Sequence, residues 1–369
     1  MKANIRNLKK IFFFIPTLNG GGAERVFINL TREFPNLNFI TELIVCSLKG
    51  DLTNEVSDIS IKSLGNKNVL MSIIPLAIYL YKQKPNVLIS GMSHANIAAI
   101  ISVVLSGSKT KVIVSSHEDI KMRYLTANFK EKFVIKLTRL FYRLADGFIA
   151  VSEGVLRSDA NYLGNSLPKF NTTIYNPVIT NKFNISKKLN ISKKKFKKTV
   201  KLVAVGRLTY QKDYHTLLKA LKIVSQKHNV YLSIYGNGEL MQELREFCVE
   251  LNISHIVEFH GFSNCLSQIY SDKDIFILSS RWEGFGNVIV EALSFGCIVI
   301  STKCDYGPSE VLCNGKYGFL FNVGDYKQLA KYVDQAISER ISYDIEQSIR
   351  PYFVTSVTKK YKDFIELMP

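Results

Sequence analysis

Residues 274–302 read DIFILSSRWEGFGNVIVEALSFGCIVIST, and this segment gives the clearest indication of the fold class. The runs DIFILSS and CIVIST are nearly continuous in apolar residues, which is typical of parallel strands buried on both faces. The segment between them holds a glycine turn and then an apolar helical pattern. Strand, helix and strand in this order predict a βαβ unit, and therefore an α/β protein.

The turn inside this unit has a specific local chemistry. Gly284 and Gly286 flank Phe285, so the backbone can bend tightly and approach a ligand. Asn287 is predicted as the N-cap of the helix, and Gly296 as the residue that ends it.

Two glutamates bracket the turn and the apolar run. Glu283 precedes the helix N-terminus, where backbone amides favour an anion. Glu291 lies among Val, Ile, Ala and Leu, and a buried carboxylate is costly unless it has a partner. Hydroxyl groups of a ligand would supply that partner. The alternative is an ordinary amphipathic helix whose Glu291 pairs with a lysine elsewhere in the chain.

The same alternation runs through all 369 residues, a length that suggests two domains. Each half is predicted as a doubly wound α/β unit. In residues 1–176 the predicted strands are KIFFFI, TELIVCSL, NVLIS, KVIVSS, DGFIAVS and NTTIYN, and in 200–302 they are VKLVAVG, VYLSIYG, IVEFHG, DIFILSS and CIVIST. We divide the chain into a first domain (1–178), a lysine-rich linker (179–200), a second domain (201–354) and a C-terminal helix (355–369).

Two segments have some of the sequence features of a signal peptide or a membrane-spanning helix. Residues 1–18 place basic residues before an apolar run, but Pro16 interrupts the run, so a first buried strand is favoured over a signal peptide. Residues 86–108 carry no charged residue and are long enough to span a bilayer. Polar residues interrupt them, which favours a strand, NVLISGM, followed by a helix, ANIAAIISVVL.

Positive charge is unevenly distributed. The net charge is +17, residues 1–180 hold 22 basic and 12 acidic residues, and residues 182–201 add nine lysines and no acid. Such an imbalance favours an anionic partner, which could be nucleic acid, phosphorylated lipid or a membrane surface. Residues 129–147 read as a basic amphipathic helix that can lie on an anionic membrane, or else pack its apolar face in the core.

The six cysteines show no CxxC spacing, so we expect free thiols in a reducing compartment. Asp272 and Asp274 form a DxD sequence, but it leads directly into a strand and is read as a turn rather than a metal site. The segment YGNGEL is half of a dinucleotide fingerprint, with Met241 at the position of the third glycine.

Three further segments can contact an anionic ligand. Gly20, Gly21 and Gly22 stand between the first strand and a helix, where backbone amides can approach phosphate oxygens. Arg207 and Lys212 follow the first strand of the second domain and could neutralise a diphosphate. His117 stands at a strand end, the usual place for ligand contact in an open α/β sheet. Alone, the glycine turn is compatible with a purely structural role, a basic pair beside a turn is usually solvated, and a lone histidine is more often structural.

Their order along the chain is more specific. It resembles the family 4 retaining glycosyltransferases through VGRLTYQKD, YGNGEL, HGF, LSSRWEGFGNVIVEALSFGCIVIST and GPSEVL, with Glu283 and Glu291 as an E-x7-E motif. The resemblance implies the GT-B fold, in which two Rossmann-like doubly wound parallel-sheet domains face each other across a cleft. It also implies a helix at the C-terminus that packs back toward the first domain.

The resemblance implies a role for each residue of the candidate site. Glu283 and His117 would act near the reacting centre of the donor sugar, and Glu291 would bind the ribose hydroxyls. Arg207 and Lys212 would neutralise the leaving diphosphate, with Gly21 and Gly22 on the opposite wall. The backbone amides that would contact the donor belong to Phe285, Gly286, Asn287 and Val288. No metal or other cofactor is expected, and the anomeric configuration would be retained.

The expected partners are a nucleotide-sugar donor, with a UDP-sugar as the first choice, and a glycan or polyprenyl-diphosphate-linked saccharide acceptor. This chemistry belongs to the synthesis of surface polysaccharide, lipopolysaccharide or glycoprotein glycans. An anionic membrane surface would be a further partner, at the cytoplasmic face of the inner membrane. Nucleic acid is not expected, because no recognition motif accompanies the basic charge. Open alternatives are a nucleotide-sugar epimerase, a phosphorylase and a non-catalytic membrane-associated scaffold.

Overall fold

The computed structural model describes residues 8–180, 198–339, 341 and 343–368. Most of the lysine-rich linker, at 181–197, lies outside the described residues. The chain divides into two units, of which one comprises residues 1–180 and 352–369 and the other residues 181–351.

Unit 1 is built on a parallel sheet of seven strands in the order β3-β2-β1-β4-β5-β6-β7. The strands are β1 Lys10–Ile15, β2 Ile40–Val45, β3 Ile61–Ser63, β4 Val87–Gly91, β5 Lys111–Ser116, β6 Gly147–Ala150 and β7 Phe170–Thr173. The connecting helices are α1 Gly22–Glu33, α2 Ile73–Gln83, α3 Ser93–Ser106, α4 Ile120–Thr126, α5 Phe129–Phe141 and α6 Glu153–Leu163.

Unit 2 repeats this plan with six parallel strands in the order β10-β9-β8-β11-β12-β13. The strands are β8 Val200–Val205, β9 Val230–Tyr235, β10 Val257–Gly261, β11 Ile275–Leu278, β12 Ile298–Thr302 and β13 Phe319–Phe321. The helices are α7 Tyr214–Val224, α8 Met241–Glu250, α9 Leu266–Tyr270, α10 Asn287–Ser294, α11 Pro308–Val311, α12 Tyr326–Ser338 and α13 Ile345–Ile349. Two doubly wound α/β units are therefore present.

The last helix, α14 (Val354–Leu367), returns to unit 1. Its Val357, Tyr361 and Phe364 belong to the same buried cluster as Phe13 of β1 and Phe27 of α1. A Cβ atom at Gly147 would lie 3.0 Å from the Phe364 ring, so glycine at the start of β6 leaves room for this helix.

The structure confirms one prediction about unit 1 and corrects another. Residues 86–108 form β4 and α3 as expected, and among the described residues no helix has both the length and the apolar character needed to cross a membrane. The helix predicted over 129–147 ends at Phe141, because a 3₁₀ turn follows at Tyr142–Leu144 and β6 begins at Gly147.

Candidate functional site

The strand order of unit 2 reverses between β8 and β11, which pair directly with each other. In open α/β sheets, ligands bind outside the carboxyl ends of the strands at this switch point. The chain leaves β8 through residues 206–213 and leaves β11 through residues 279–286. These two loops hold Arg207, Lys212, Glu283 and the glycine turn, so residues far apart in the sequence meet at one edge of the sheet.

Lys212 and Glu283 form an ion pair between the two loops. The Lys212 Nζ atom lies 2.5 Å from Glu283 Oε1, and the two side chains are only 14% and 9% exposed. Ser280 Oγ donates a second hydrogen bond to the same carboxylate oxygen, at 2.6 Å. Burial on this scale requires a compensated charge, and the pair supplies it.

Backbone contacts hold the loops together around this pair. The Arg281 amide donates to the Gln211 carbonyl at 2.8 Å, and Gln211 Nε2 donates to the Trp282 carbonyl at 2.9 Å. Ser279 Oγ donates to the Lys212 carbonyl at 2.8 Å. The positions of Lys212 and Glu283 are thus fixed by the main chain as well as by their own contact.

The two arginines of this region have different environments. Arg281 lies 3.2 Å from the buried Asp213 and stacks over the Tyr210 ring at 4.3 Å. Its charge is therefore already compensated within the protein. Arg207 is exposed, and its guanidinium has no hydrogen bond or ion pair within the described part of the chain. Arg207 is therefore the cation that remains available to an incoming anion.

The glycine turn begins α10 in a different way from the prediction. The N-cap is Gly286, with φ of 93°, and Asn287 is the first helical residue, so the assignment of Asn287 as the N-cap is wrong. The left-handed conformation of Gly286 makes the change of direction that the side chain of Asn287 was expected to support. The other end is as predicted: Gly296 has φ of 74° and follows the last helical turn.

A second glycine allows the turn to pack. A Cβ atom on Gly307 would lie 2.4 Å from the Phe285 carbonyl oxygen. The GPSEVL segment therefore supports the backbone of the glycine turn from behind.

Glu291 is buried in α10, with 8% of its surface exposed. The hydroxyl of Tyr270 donates to its Oε2 atom at 3.0 Å. A tyrosine at the end of α9 thus fulfils part of the role that the sequence left to a ligand or a lysine.

The glycines of the YGNGEL segment allow two loops to pack closely. A Cβ atom on Gly236 would lie 2.0 Å from the Gly206 carbonyl oxygen, and one on Gly238 would lie 2.3 Å from the Leu208 carbonyl oxygen. The Leu208 amide donates to the Asn237 carbonyl at 2.9 Å. These glycines bring the β9 loop against the Arg207 loop, which explains the partial likeness to a dinucleotide fingerprint.

The DxD pair is engaged within unit 2. Asp272 lies 2.6 Å from Lys201 Nζ and 2.8 Å from Lys273 Nζ, and Asp274 accepts the Lys201 amide at 2.9 Å. Although partial burial opposes it, hydrogen bonds from Lys201 and Lys273 lower the pKa of Asp272 to about 2. Both aspartates fix the start of β8.

In unit 1, His117 follows β5 and is half-buried between apolar and polar side chains. Its ring lies 5.6 Å from that of Phe27, and burial lowers its pKa to about 4. Ser115 Oγ is 3.0 Å from His117 Nε2, and the buried Tyr361 of α14 interacts with Ser115 in turn. The Nδ1 atom is buried and has no hydrogen-bond partner within the described ranges. His117 is therefore neutral near pH 7, with one nitrogen held and the other unpaired.

His117 lines a pocket together with Met92, Ser93, Asn96 and Arg123. Met92 has φ of 76°, which is uncommon for a residue with a side chain and occurs where surrounding structure imposes it. Asn96 fixes the floor, because its Nδ2 atom donates to the Ser115 carbonyl at 3.0 Å and to the Tyr142 hydroxyl at 2.9 Å.

A buried acid supports the loop that carries His117. Asp159 Oδ1 accepts the Ile120 amide at 3.0 Å, while Oδ2 is buried without a hydrogen-bond partner in the part of the chain described. Burial raises the pKa of Asp159 to about 8. A proton on this acid at neutral pH accounts for its tolerance of an apolar site.

Gly21 stands at the N-terminus of α1, and a Cβ atom there would lie 2.3 Å from Glu24 Oε2. Glycine at this position thus allows the buried Glu24 carboxylate to approach the turn. A contact of Gly21 and Gly22 with a diphosphate stays a prediction.

The side chains that help to position the predicted site residues were not predicted from the sequence. Tyr270, Tyr361 and Asp159 carry no motif, and each acts across a distance in sequence that only the fold closes. Ser280 and Ser115 are exceptions, because hydroxyls three residues before Glu283 and two residues before His117 could have been noticed.

Two family models match the chain. The one described as Glycosyltransferase Family 4 matches residues 20–182, and the one described as Glycosyl transferases group 1 matches residues 186–350. Together they span both units.

Two relatives from Campylobacter jejuni match most of the chain. One is named N-acetylgalactosamine-N,N'-diacetylbacillosaminyl-diphospho-undecaprenol 4-alpha-N-acetylgalactosaminyltransferase, with 26% identity over 86% of this chain and 87% of the relative. The other is named GalNAc-alpha-(1->4)-GalNAc-alpha-(1->3)-diNAcBac-PP-undecaprenol alpha-1,4-N-acetyl-D-galactosaminyltransferase, with 25% identity over 97% of this chain and 95% of the relative.

Among solved structures, the Anabaena protein HepE in complex with UDP and glucose superposes with a TM-score of 0.78. Its sequence is 18% identical, and the match covers 97% of this chain and 99% of HepE. At this identity the likeness establishes the fold.

Proposed function

The chain belongs to the family 4 glycosyltransferases of the GT-B class, and from this premise we propose a retaining transferase that uses a nucleotide-sugar, with a UDP-sugar as the first choice. The acceptor is a glycan or a saccharide carried on polyprenyl diphosphate, and the product contributes to a surface polysaccharide, a lipopolysaccharide or a glycoprotein glycan.

The observation that carries the proposal is the Lys212–Glu283 pair at the switch point of unit 2, beside the start of α10. As the glycosidic bond of the donor breaks, negative charge grows on the leaving diphosphate. Fixed cations and helix N-terminal amides stabilise such charge where it develops. Arg207 supplies an unpaired cation, and Lys212 supplies one whose position Glu283 holds.

The remaining roles follow from the chemistry of the donor. Glu291, with one oxygen held by Tyr270, binds the ribose hydroxyls through charge-assisted hydrogen bonds. Glu283 and the neutral His117 act near the donor sugar, as the family resemblance implies. Lys212 and Arg207 make a metal unnecessary for neutralising the diphosphate, and Asp272 is already paired with lysines.

Two observations support a lipid-linked acceptor. The names of both Campylobacter relatives include a diphospho-undecaprenol or PP-undecaprenol carrier. Residues 1–180 of this chain hold ten more basic than acidic residues, which suits a diphosphate on an anionic surface. We therefore place the enzyme at the inner face of the cytoplasmic membrane as a peripheral protein.

A thermal-shift screen against UDP-, GDP- and ADP-sugars tests the donor site. A donor present at 100 times its dissociation constant stabilises the folded protein by about 2.7 kcal/mol. We expect one nucleotide class to raise the melting temperature, and Glu291→Ala to abolish that rise. The matched control is Glu246→Ala, which removes an exposed carboxylate of α8 in the same unit.

The outcomes separate the alternatives. Release of the nucleoside diphosphate only when a saccharide acceptor is added supports transfer. Conversion of the donor without any acceptor would identify an epimerase and overturn the transferase. A rise in melting temperature that Glu291→Ala leaves intact would remove Glu291 from the donor site.

A further inference from the structure

Helix α2 and the turn before it present a stripe of large apolar side chains to solvent. Leu70, Met71, Ile74, Ile78 and Tyr81 are each between 51% and 78% exposed. Their spacing places all five within about 100° of arc around the helix axis. The opposite side, with Leu76, Ala77 and Leu80, is buried in unit 1. We call the five exposed residues the α2 stripe.

Neighbouring helices extend this exposure. Ser102 Oγ of α3 donates to the Ile73 carbonyl at 3.0 Å, which joins α3 to α2. Val104 and Leu105 at the end of α3 are 63% and 57% exposed. Helix α3 in turn packs against α5, whose Phe129 and Phe133 are also exposed. Soluble monomers rarely expose so many large apolar groups on adjacent elements unless something binds there.

Along the sequence, the charge on either side of the stripe has one sign, and the Glu42 carboxylate that reaches α2 from β2 accepts a hydrogen bond from Tyr79. Residues 59–117 contain six lysines and no aspartate or glutamate. Lys67 precedes the stripe, and Lys82 and Lys84 follow it, all exposed. An apolar face within a lysine border is the arrangement that enters the interface of an anionic bilayer.

We propose that the α2 stripe is the membrane-docking surface of this protein and that its partner is an anionic phospholipid bilayer. The side chains of the stripe enter the acyl boundary, while the surrounding lysines contact lipid phosphates. This deepens the proposed function, because it names the surface through which the enzyme would reach a lipid-linked acceptor. It also shifts the expected contact from residues 129–147 toward α2.

Charge distinguishes this partner from a second copy of the chain. A twofold contact through the stripe would bring the lysines that border it in one copy, Lys67, Lys82 and Lys84, near the bordering lysines of the other copy, and like charges oppose such a contact. An anionic lipid surface is attracted to the same lysines, and this attraction weakens as salt screens it.

The test is co-sedimentation of the full chain with vesicles of phosphatidylcholine alone or with 30 mol% phosphatidylglycerol. The variant Ile74→Glu/Ile78→Glu places two charges in the stripe. Its control is Val249→Glu, at an apolar residue of α8 that is 66% exposed. Circular dichroism melts of all three proteins establish that they are folded.

We expect binding to the anionic vesicles that falls with salt, weakens at least about tenfold in Ile74→Glu/Ile78→Glu and is unchanged in Val249→Glu. Equal binding to neutral vesicles, or undiminished binding by the double variant, would overturn the proposal. Sedimentation of the free protein as a dimer that the double variant dissociates would also overturn it, in favour of a second copy.

The proposed function can fail independently. Vesicle binding with the expected mutational pattern, in a protein that transfers no sugar, supports the docking surface and counts against the transferase. Sugar transfer to a soluble saccharide with no vesicle binding does the reverse.

Discussion

Lys212 Nζ and Glu283 Oε1 lie 2.5 Å apart across two loops that leave neighbouring strands of unit 2. Their contact joins a residue that follows β8 to one that follows β11, 71 positions later. The carboxylate that precedes the glycine turn thereby holds the Lys212 ammonium in place. The pair is neutral as a whole, which leaves Arg207 as the net positive charge of the site.

Removing one partner of this pair should affect stability and catalysis differently. Lys212→Met leaves Glu283 buried without its partner and should lower the free energy of unfolding by about 3 kcal/mol. Lys212→Met/Glu283→Gln should recover most of that loss, because no buried charge remains unpaired. Both variants should transfer sugar about 100-fold more slowly, since the fixed cation is gone. Urea unfolding and initial rates measure the two effects, and a double variant that regains activity would show that the pair is only structural.

Tyr270 and Glu291 should contribute separately to donor binding. Glu291→Gln loses the charge of the bonds to the ribose, worth about 1.5–3 kcal/mol, so calorimetry should find the nucleotide bound roughly 10- to 100-fold more weakly. Tyr270→Phe removes one hydrogen bond to the acid and should cost about 1 kcal/mol of stability, with a smaller loss of affinity. An affinity lower in Tyr270→Phe than in Glu291→Gln would contradict this assignment of roles.

The depressed pKa of His117 predicts a pH dependence of stability. Between its ordinary pKa of 6.5 and its folded value of about 4, the unfolded chain binds a proton that the folded protein does not. Stability should therefore fall as the pH is lowered through this window, by up to about 3 kcal/mol from this group. Unfolding experiments at pH 5 and pH 7 should show a smaller difference for His117→Gln than for the unmodified protein.

Ser115→Ala tests whether His117 must be held. The loss of the hydrogen bond to Nε2 should lower kcat while leaving the Km for the donor nearly unchanged, because the imidazole still lies in the pocket but turns more freely. Nitrogen NMR of the histidine ring should report a changed tautomer balance for His117 in this variant. An unaltered ring signal with a lowered rate would point to a different role for Ser115.

The pH dependence of stability that Asp159 contributes should be opposite to that of His117. Its folded pKa of about 8 lies above the ordinary 3.8, so between these values the folded state binds a proton that the unfolded chain has lost. Stability should therefore fall as the pH rises from 3.8 toward 8 and level off above 8. Asp159→Asn replaces the protonated acid with a neutral group of the same shape. It should be close to neutral at pH 4 and stabilise the protein by at least about 1 kcal/mol at pH 9. A variant less stable at both values would refute a protonated Asp159.

The close approach at Gly236 should be intolerant of any side chain. Gly236→Ala brings a Cβ to 2.0 Å from the Gly206 carbonyl oxygen and should displace the loop that carries Arg207, with a loss of nucleotide binding. Gly324→Ala is the control for a positive φ without a clash, because its φ is 79°, against 142° for Gly236, and nothing lies within 4 Å. The control should cost only about 1–2 kcal/mol of stability and leave binding intact. Equal binding losses in both variants would remove the steric explanation.

Periodicity predicted the architecture because buried parallel strands leave a strong local signal. The runs around residues 274–302 fold as β11 and β12 with α10 between them. The resemblance also identified Lys212 and Glu283, which the structure brings together. Neither inference required knowledge of the packing.

Contacts made through space could not be predicted in this way. The Tyr270 hydroxyl reaches Glu291 from another helix, and Tyr361 reaches Ser115 from the far end of the chain. Asn287 has the composition of an N-cap, yet the left-handed backbone of Gly286 takes that position. For residues 129–147 the pattern left open whether the apolar face meets a membrane or the core, and in α5 Phe133 and Leu140 are exposed while Ile135 and Thr138 are buried.

Because helix α14 belongs to unit 1, the two units are completed at different times during synthesis. Unit 2 is continuous in sequence, so all its strands have been synthesised before residue 352 is added. The core of unit 1 includes Val357, Tyr361 and Phe364, which are translated after the whole of unit 2. Until they emerge, the sheet of the first 180 residues has an uncovered apolar patch, including the gap beside Gly147 that Phe364 fills. The domain that begins the polypeptide is therefore the one whose folding must be completed last, and a nascent chain stalled before residue 354 would expose a hydrophobic surface to chaperones.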